Sequence, residues 1–339
     1  MENVKKQEDP GMSDRRVRVA LIGAGHMANS VHYPSLAEFE DVELAAICDL
    51  IEEKARATAE RFRIPRVYTD YRRMIDEVEP EAVYVIMPPQ HLFEPVVHCL
   101  RLGRHVFIEK PPAVTTFQTK ALAYYAEEYR CITMVGFQRR HIPALTALKQ
   151  RVEARGPIQQ AAVSFLKSTR DLTQPAFVYG GVIDQLTVDG IHAVDNLRFL
   201  CGGEVVDVVS DIRTRYVPGP FPNAFTALIT FSTGAVGILQ SNYTTGRRIF
   251  RAEFHGRNIT AYVDADREAY IVADDGEPER YDPRDFFPRR ERHHYLGFYH
   301  ENRHFIDCVK EGRQPTSNFA DAVKTMELVD RIYQARMKA

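Results

Sequence analysis

The feature that most limits how this chain folds is a repeated alternation of short apolar strands and amphipathic helices between residues 17 and 138. The first strand, VRVALIGAG, ends in glycines, and the strand-like stretches VELAAICDL and EAVYVIMPP follow with helical segments between them. Short apolar strands separated by helices are typical of a parallel sheet that is covered on both faces. The pattern predicts a doubly wound α/β domain.

From about Gly156 the pattern changes to successive strand candidates joined by short turns such as STGA and HGRN. This arrangement predicts a C-terminal α+β domain with a large, mostly antiparallel open sheet. The helix DQLTVDGIHAVDNLRFL lies between its first two strands, and two more helices are predicted near the end of the chain. We therefore predict a polar tail over 1–16, a first domain over 17–138 and a second over 139–339.

Charge and composition narrow the classes of partner. With 44 basic and 46 acidic side chains, the formal net charge of −2 gives no reason to expect nucleic acid or an anionic membrane as a partner. No apolar run approaches the roughly 20 residues that span a bilayer, and the N-terminus lacks a signal-peptide pattern. The five cysteines show no metal or disulfide spacing. We predict a cytoplasmic protein that acts on small molecules.

The motif GAGHMA, residues 23–28, stands directly after the first strand and before a helix. In a GxGxxA sequence, Gly23 permits the tight turn and Gly25 lets the backbone approach a pyrophosphate, while the small final residue allows close helix packing. This context predicts a dinucleotide-binding Rossmann domain. We expect Gly23, Gly25, His26 and Met27 to contact the cofactor.

Asp49 closes the second strand, about where a carboxylate accepts hydrogen bonds from the adenosine ribose. This position favours NAD over NADP, because a 2′-phosphate is usually met by an arginine, and only Arg56, inside the following helix, lies nearby. The alternative is that Asp49 caps that helix.

The stretch GRHVFIEKPPAVTT, together with the GxGxxA turn about 85 residues earlier, resembles the GFO/IDH/MocA family of oxidoreductases. Four further stretches are similar to that family: MPPQHLFEPVVHCLRLG, VGFQRRHIPAL, IHAVDNLRFLCG and FIDCVKEGRQPTSNFADAVKTMELV. The resemblance covers nearly the whole chain from Val17. It implies a Rossmann domain followed by a domain whose open sheet mediates homodimers or homotetramers, and a Lys–Pro bond that is often cis.

The resemblance also implies which residues line the site. In EKPP, proline holds Lys110 in extended geometry at a strand end, where ligands bind in open α/β sheets. We predict Lys110 as a catalytic and cofactor-side residue, with Glu109, Pro88 and Gln90 beside the cofactor. Gln138 and Arg139 are predicted to bind substrate. The alternatives are a solvated lysine and an exposed strand-end pair.

The helix around His192 carries three aspartates. On an ideal α-helix, Asp184, Asp195 and His192 fall within about 80° of one another, and Asp189 is three residues before the histidine. We predict His192 as the proton acceptor, with Asp189 in contact and raising its pKa.

The family pattern in this helix is commonly D-x-x-x-H-x-x-D, and here Val188 stands at the first aspartate position. The supporting carboxylate is therefore open between Asp189 and Asp184. Asp195 matches the second aspartate and is predicted to bind substrate, although a pair with Arg198 is an alternative. His192 as a buried residue bonded to backbone, and Asp184 as an N-terminal cap, are the other structural interpretations.

We predict an NAD-dependent oxidoreductase that transfers hydride between nicotinamide and a hydroxyl carbon of a sugar, polyol or cyclitol. The alternatives are a glycosidase or sugar–sugar oxidoreductase that retains its NAD, and a non-catalytic NAD-binding regulator. No metal is predicted, because His300 and His304 have helical i,i+4 spacing without a third ligand.

Overall fold

The computed structural model describes residues 15–168, 183–216 and 221–336. Six parallel strands form the first sheet in the order β3-β2-β1-β4-β5-β6. Their bounds are β1 Val17–Ile22, β2 Val42–Cys48, β3 Val67–Tyr68, β4 Ala82–Val85, β5 His105–Glu109 and β6 Thr133–Gly136. The direction of winding reverses between β1 and β4, which opens a crevice at the carboxyl ends of these strands.

Helices cover both faces of this sheet, as predicted. The side chains of Val17, Val19 and Leu21 pack under α1 and α2, whereas Ala20 and Ile22 of the same strand point into the core under α3, α4 and α5. The helix bounds are α1 Tyr33–Ala37, α2 Glu52–Phe62, α3 Tyr71–Val78, α4 Pro89–Arg101 and α5 Thr116–Glu128.

A helix from the end of the chain completes the first of these two faces. In α9, Phe298–Glu311, the buried side chains of Phe305, Ile306 and Val309 join the core of β1, α1 and α2. The prediction had placed this helix with the second domain. The sequence pattern identified the helix but not its partner, because an apolar stripe carries no information about which sheet it covers.

The second sheet has eight strands in the order β14-β13-β12-β11-β7-β10-β9-β8. All pairs are antiparallel except β7 with β10, which confirms the predicted, mostly antiparallel open sheet. The bounds are β7 Gln160–Leu166, β8 Val205–Arg213, β9 Ala224–Phe231, β10 Val236–Asn242, β11 Ile249–Gly256, β12 Ile259–Asp264, β13 Glu268–Ala273 and β14 Glu279–Tyr281.

One face of this sheet is covered by helices and the other is open. The covering helices are α6 Pro143–Glu153, α7 Ile191–Cys201 and α10 Phe319–Gln334, while the short α8 Arg292–Tyr295 leads into α9. On the open face Val206, Val209 and Leu228 are exposed. Within the described ranges, no helix is both long and apolar enough to cross a membrane.

The two glycines after β1 make a matched test of the turn. Gly23 has φ +114°, and a Cβ there would lie 2.1 Å from the carbonyl oxygen of Ile86, whereas a Cβ on Gly25 would meet no atom within 4 Å. We expect Gly23→Ala to lower the free energy of unfolding by about 2–4 kcal/mol, because it adds backbone strain and a clash. Gly25→Ala should leave that free energy nearly unchanged. Denaturant unfolding measures both, and equal losses would contradict this account.

Candidate functional site

The turn that follows β1 is held by hydrogen bonds rather than by side-chain packing. The N–H of Gly23 donates to the carbonyl of Cys48 at 2.8 Å, and the N–H of Ala24 donates to Asp49 Oδ2 at 2.7 Å. Gly25 is exposed, and the space beside its Cα is open. A phosphate can therefore approach the backbone here, as the predicted role of the motif requires.

Asp49 does not cap α2. Its Oδ1 accepts from the N–H of Ile51 at 2.9 Å, and Ile51 itself precedes the helix without a side-chain cap. Each carboxylate oxygen accepts more than one hydrogen bond, so Asp49 retains capacity for ribose hydroxyls. Arg56, the one nearby candidate for a 2′-phosphate, is exposed and bonded to Glu52. These residues fit NAD.

A cavity of about 420 Å³ lies where the strand ends of the first sheet meet the second domain. Ten predicted site residues line it: Gly25, His26, Met27, Pro88, Glu109, Lys110, Gln138, Arg139, Asp189 and His192. Gly23 and Asp49 lie in the adjoining turn, and Gln90 and Asp195 lie outside the lining. The first and second domains thus contribute opposite walls of one cavity.

Lys110 reaches across the cavity to the helix of the second domain. Its Nζ donates to the carbonyl oxygen of Val188 at 2.9 Å and lies 3.7 Å from Asp189 Oδ1. Asp189 Oδ2 in turn pairs with Lys167 Nζ. The peptide bond from Lys110 to Pro111 is cis, as the resemblance implied. Val188, which stands where the family pattern commonly has an aspartate, therefore anchors Lys110 through its backbone carbonyl.

The helix around His192 is not α-helical throughout. Residues Leu186–Gly190 form a π turn, and α7 begins at Ile191. The angle of 100° per residue used in the prediction therefore does not apply before His192. As a result, the carboxylate of Asp189 lies near Lys110 and Lys167 and not beside the imidazole. π turns of this kind occur frequently at functional sites.

His192 is 5% exposed and stacks on Phe165, with ring centroids 5.7 Å apart. Its Nδ1 is buried and has no hydrogen-bond partner among the described residues. Burial, together with the positive charges of Lys110 and Arg139, holds the pKa of His192 well below its ordinary value. The prediction of a raised pKa is therefore wrong, because cations rather than a carboxylate surround the ring. The imidazole is neutral at neutral pH.

Glu109 belongs to a buried acidic cluster behind the lysine. Its Oε1 accepts from His32 Nε2 at 2.9 Å and its Oε2 accepts from the N–H of Lys110 at 3.0 Å. Glu301 lies close by, fully buried, and neither of its carboxylate oxygens is bonded to a described residue. Burial and the charge of Glu109 raise the pKa of Glu301 well above its ordinary value. Glu109 is thus fixed in place as a positioning group.

Gln138 and Arg139 follow β6 in a 3₁₀ turn, Gln138–His141, and both are buried. The Arg139 guanidinium lies 3.9 Å from the ring centroid of Phe250, and within the described part of the chain its Nε has no hydrogen-bond partner. The alternative of an exposed strand-end pair is therefore wrong. Gln90 lies in the first turn of α4, next to Pro88 and Pro89 of the cavity lining but not in the lining itself, and its contact with the cofactor stays a prediction.

Asp195 is 1% exposed and is enclosed by protein. Arg140 donates to both of its oxygens, from Nε at 2.7 Å and from Nη2 at 2.5 Å, and Thr325 Oγ1 donates at 3.0 Å. The predicted substrate contact is therefore corrected to a structural role. The alternative pair with Arg198 is also wrong, since that arginine bonds to Asp321.

Asp184 caps the start of the π turn. Its Oδ1 accepts from the N–H groups of Leu186 and Thr187, and from the hydroxyl of Tyr333. The interpretation of Asp184 as an N-terminal cap agrees with these bonds. It is not available to support His192.

Comparison with known sequences identifies the family. Residues 17–137 match the oxidoreductase family with an NAD-binding Rossmann fold, GFO/IDH/MocA, and residues 149–262 match the GFO/IDH/MocA C-terminal domain. The chain belongs to the GFO/IDH/MocA family. The predictions of an α/β fold, of an oxidoreductase and of NAD as cofactor are confirmed.

Individual relatives of this GFO/IDH/MocA protein span most of its length. Myo-inositol 2-dehydrogenase of Thermotoga maritima is 28% identical over 322 residues, which are 90% of this chain and 92% of that protein. The scyllo-inositol 2-dehydrogenase (NAD(+)) of Bacillus subtilis is 24% identical over 326 residues, 93% and 92% of the two chains. Levoglucosan dehydrogenase, solved with NADH, shares the fold at a TM-score of 0.82, with 21% identity and coverage of 95% and 97%.

Sequence reasoning missed several residues of the site in this GFO/IDH/MocA protein. Lys167 follows β7, and its position after a strand was the only available indication. Arg248 and Arg292 line the cavity from the second domain, His32 bonds to Glu109, and Glu301 lies close to both from another helix. No local pattern in the sequence identifies these four.

The structural role of Asp195 is testable by substitution. Asp195→Asn leaves the buried Arg140 guanidinium with Asp321 as its remaining carboxylate, so we expect the free energy of unfolding to fall by about 3 kcal/mol. Affinity for NADH, measured by fluorescence of the folded variant, should stay unchanged. Asp207→Asn on the exposed surface of β8 is the matched control. A stable Asp195→Asn protein that loses only substrate affinity would restore the predicted substrate contact.

Proposed function

We propose that the protein oxidises a hydroxyl carbon of a sugar, polyol or cyclitol with NAD. The observation that carries the proposal is the meeting of Lys110 and His192 in one cavity beside the exposed turn at Gly25. The dehydrogenases of inositols among its relatives support the same class of substrate. When bound, NAD supplies the hydride acceptor, and the protein must supply the base and the electrostatic stabilisation.

The residues that would hold NAD are those of the first domain. The open backbone at Gly25 would meet the pyrophosphate, and Asp49 would accept hydrogen bonds from the ribose hydroxyls. His26, Met27 and Pro88 line the cavity between that turn and Lys110. The carboxylate of Glu109, fixed by His32, holds the backbone N–H of Lys110 in place.

His192 is proposed as the proton acceptor. A general base must be unprotonated at the working pH, and the lowered pKa of His192 keeps its imidazole neutral. Stacking on Phe165 fixes the plane of the ring. The proton of the substrate hydroxyl would move to this imidazole as the carbon loses hydride.

Lys110 is proposed to stabilise the developing alkoxide through its ammonium group. Its bond to the carbonyl oxygen of Val188 uses one of three N–H donors, so two remain for substrate. Asp189, which is shared between Lys110 and Lys167, would act as a positioning residue for the lysine. Asp189 therefore supports Lys110 rather than His192.

We further propose that two or more copies associate through the open face of the second sheet. Val209 and Leu228, which are paired across β8 and β9, are exposed there at 44% and 50%. Adjacent exposed apolar side chains on a sheet face favour association with a second copy. Light scattering of the purified protein measures the oligomeric state, and a monomer would contradict the proposal.

A cytoplasmic location is also proposed. All five cysteines are buried and none forms a disulfide. Unpaired thiols are typical of reducing compartments. Fractionation of the source cells tests this proposal, and recovery outside the cytoplasm would contradict it.

The catalytic roles are tested by two substitutions. With an oxidisable polyol, we expect His192→Asn to lower kcat by about 10²–10⁴-fold through loss of the base, and Lys110→Met to lower it by about 10²–10³-fold through loss of alkoxide stabilisation. NADH absorbance is the readout. His255→Asn, on β11 and outside the cavity lining, is the control. Full turnover in both variants would refute the assignment, and product without net NADH would indicate retained NAD.

The pH dependence follows from the lowered pKa of His192. A base with a depressed pKa stays active as the pH falls through 6.5, the ordinary histidine value, and loses activity only at lower pH. We expect kcat/KM for oxidation to be flat through neutral pH and to fall on the acid side, below about pH 6.5. Initial rates of NADH formation from pH 4.5 to 9 measure this profile. An acid limb centred above pH 7 would show that the imidazole is not the base in this environment.

A further inference from the structure

The cavity carries an excess of positive charge on the side of the second domain. Among the residues that the structure describes, five cationic side chains line it and two carboxylates do, those of Glu109 and Asp189. Both carboxylates already have partners: Asp189 pairs with Lys110 and Lys167, and Glu109 bonds to His32. The remaining cations are Arg139, Arg248 and Arg292, and none of the three has an ion pair with a described residue.

Of these three arginines, Arg139 gives the strongest evidence for an anion site because it is buried. It is 4% exposed, and its guanidinium lies 3.9 Å from the ring centroid of Phe250 and 5.2 Å from that of Phe165. Burial and the nearby Arg248 lower the pKa of Arg139 to about 9. A buried charge without a counter-charge is costly, and contact with aromatic faces offsets only part of that cost. No ion pair with a described residue therefore balances the charge of Arg139.

The cofactor pyrophosphate is too far from Arg139 to balance its charge. The phosphate-binding turn follows β1, whereas Arg139 follows β6, and the sheet order places β6 three strands away from β1. At about 4.8 Å per strand, the two points are separated by roughly 14 Å. Lys110 and the nicotinamide end of the cavity lie at β5, between them. Arg139 thus faces the substrate side of the cavity.

We propose that the substrate is an acidic sugar or polyol, whose carboxylate or phosphate group binds Arg139, with Arg248 and Arg292 at the mouth of the cavity. The inference rests on the proposed function, since it names the substrate of the same site. A planar guanidinium forms two parallel hydrogen bonds with a carboxylate or phosphate, which a neutral hydroxyl cannot replace. The anionic group would therefore be at the end of the substrate that lies away from Lys110.

The test compares matched ligands on the full-length protein saturated with NAD. D-Glucose, D-gluconate, D-glucuronate and D-glucose 6-phosphate present a neutral parent, two carboxylates and a phosphate ester, and myo-inositol and its monophosphate form a cyclic pair. Initial rates of NADH formation give KM, and calorimetry with the NADH-loaded protein gives Kd without turnover. We expect at least one acidic ligand to have a KM or Kd at least about 30-fold below that of its neutral parent.

Substitution of the arginines assigns the effect. Arg139→Gln should raise the KM or Kd of the preferred acidic ligand at least about 30-fold more than that of the neutral parent, while Arg139→Lys should retain part of the preference. Arg248→Gln, at an exposed position, provides a second variant that does not depend on refolding of the core. Arg151→Gln, an exposed arginine paired with Glu279 outside the cavity, is the control.

The outcomes separate the inference from the function on which it rests. Oxidation of neutral polyols with no preference for their acids overturns the anion site, and so does an equal rise in the KM of acidic and neutral ligands in Arg139→Gln. Either result still agrees with the proposed dehydrogenase activity. Tight binding of acids without NADH formation supports the anion site and removes the proposed oxidation. Absence of acid binding at millimolar concentration overturns the inference. Preference for the phosphate ester over the carboxylates identifies the source of the anion.

Discussion

The buried pair between Arg140 and Asp195 holds the segment that follows β6 against the helix that carries His192. Arg140 ends the stretch that carries Gln138 and Arg139 beyond β6, and Asp195 lies three residues after His192 in α7. Two hydrogen bonds between these side chains therefore connect the segment that carries Gln138 and Arg139 to the helix that carries His192. Asp321 of α10 bonds to the same guanidinium, which ties the last helix to both. Since a broken buried pair leaves an uncompensated charge, the arrangement is held strongly.

The parts of the fold that follow from local pattern were predictable from the sequence. Apolar runs separated by helices specify the parallel sheet, and the glycine at Gly23 is required by the carbonyl of Ile86 that lies against it. The strand-end position of Lys110 follows from the same pattern, because carboxyl ends of parallel strands meet at one crevice. The second sheet was predictable for the same reason, through its short turns.

The site could not be predicted in full because its side chains are paired over long distances in the sequence. Arg140 and Asp195 are 55 residues apart, and periodicity places Asp195 on the face of His192 without indicating which cation it meets. The π turn at Leu186–Gly190 changes the direction of Asp189 relative to His192, and no residue in that stretch predicts a π turn. Lys167, Arg248 and Arg292 reach the cavity only through the tertiary fold.

The cationic side chains that we propose to bind an anionic group also lower the pKa of His192. Burial lowers the pKa of His192 most, and the charges of Lys110, Arg139, Arg248 and Lys167 lower it further, so the charge of the cavity contributes to the neutrality of the imidazole. An acidic substrate would offset part of that positive charge and raise the pKa of the imidazole toward its ordinary value. The base would then become a better proton acceptor only once substrate is bound. With such a substrate, its charge and the proton transfer would be coupled through one set of side chains.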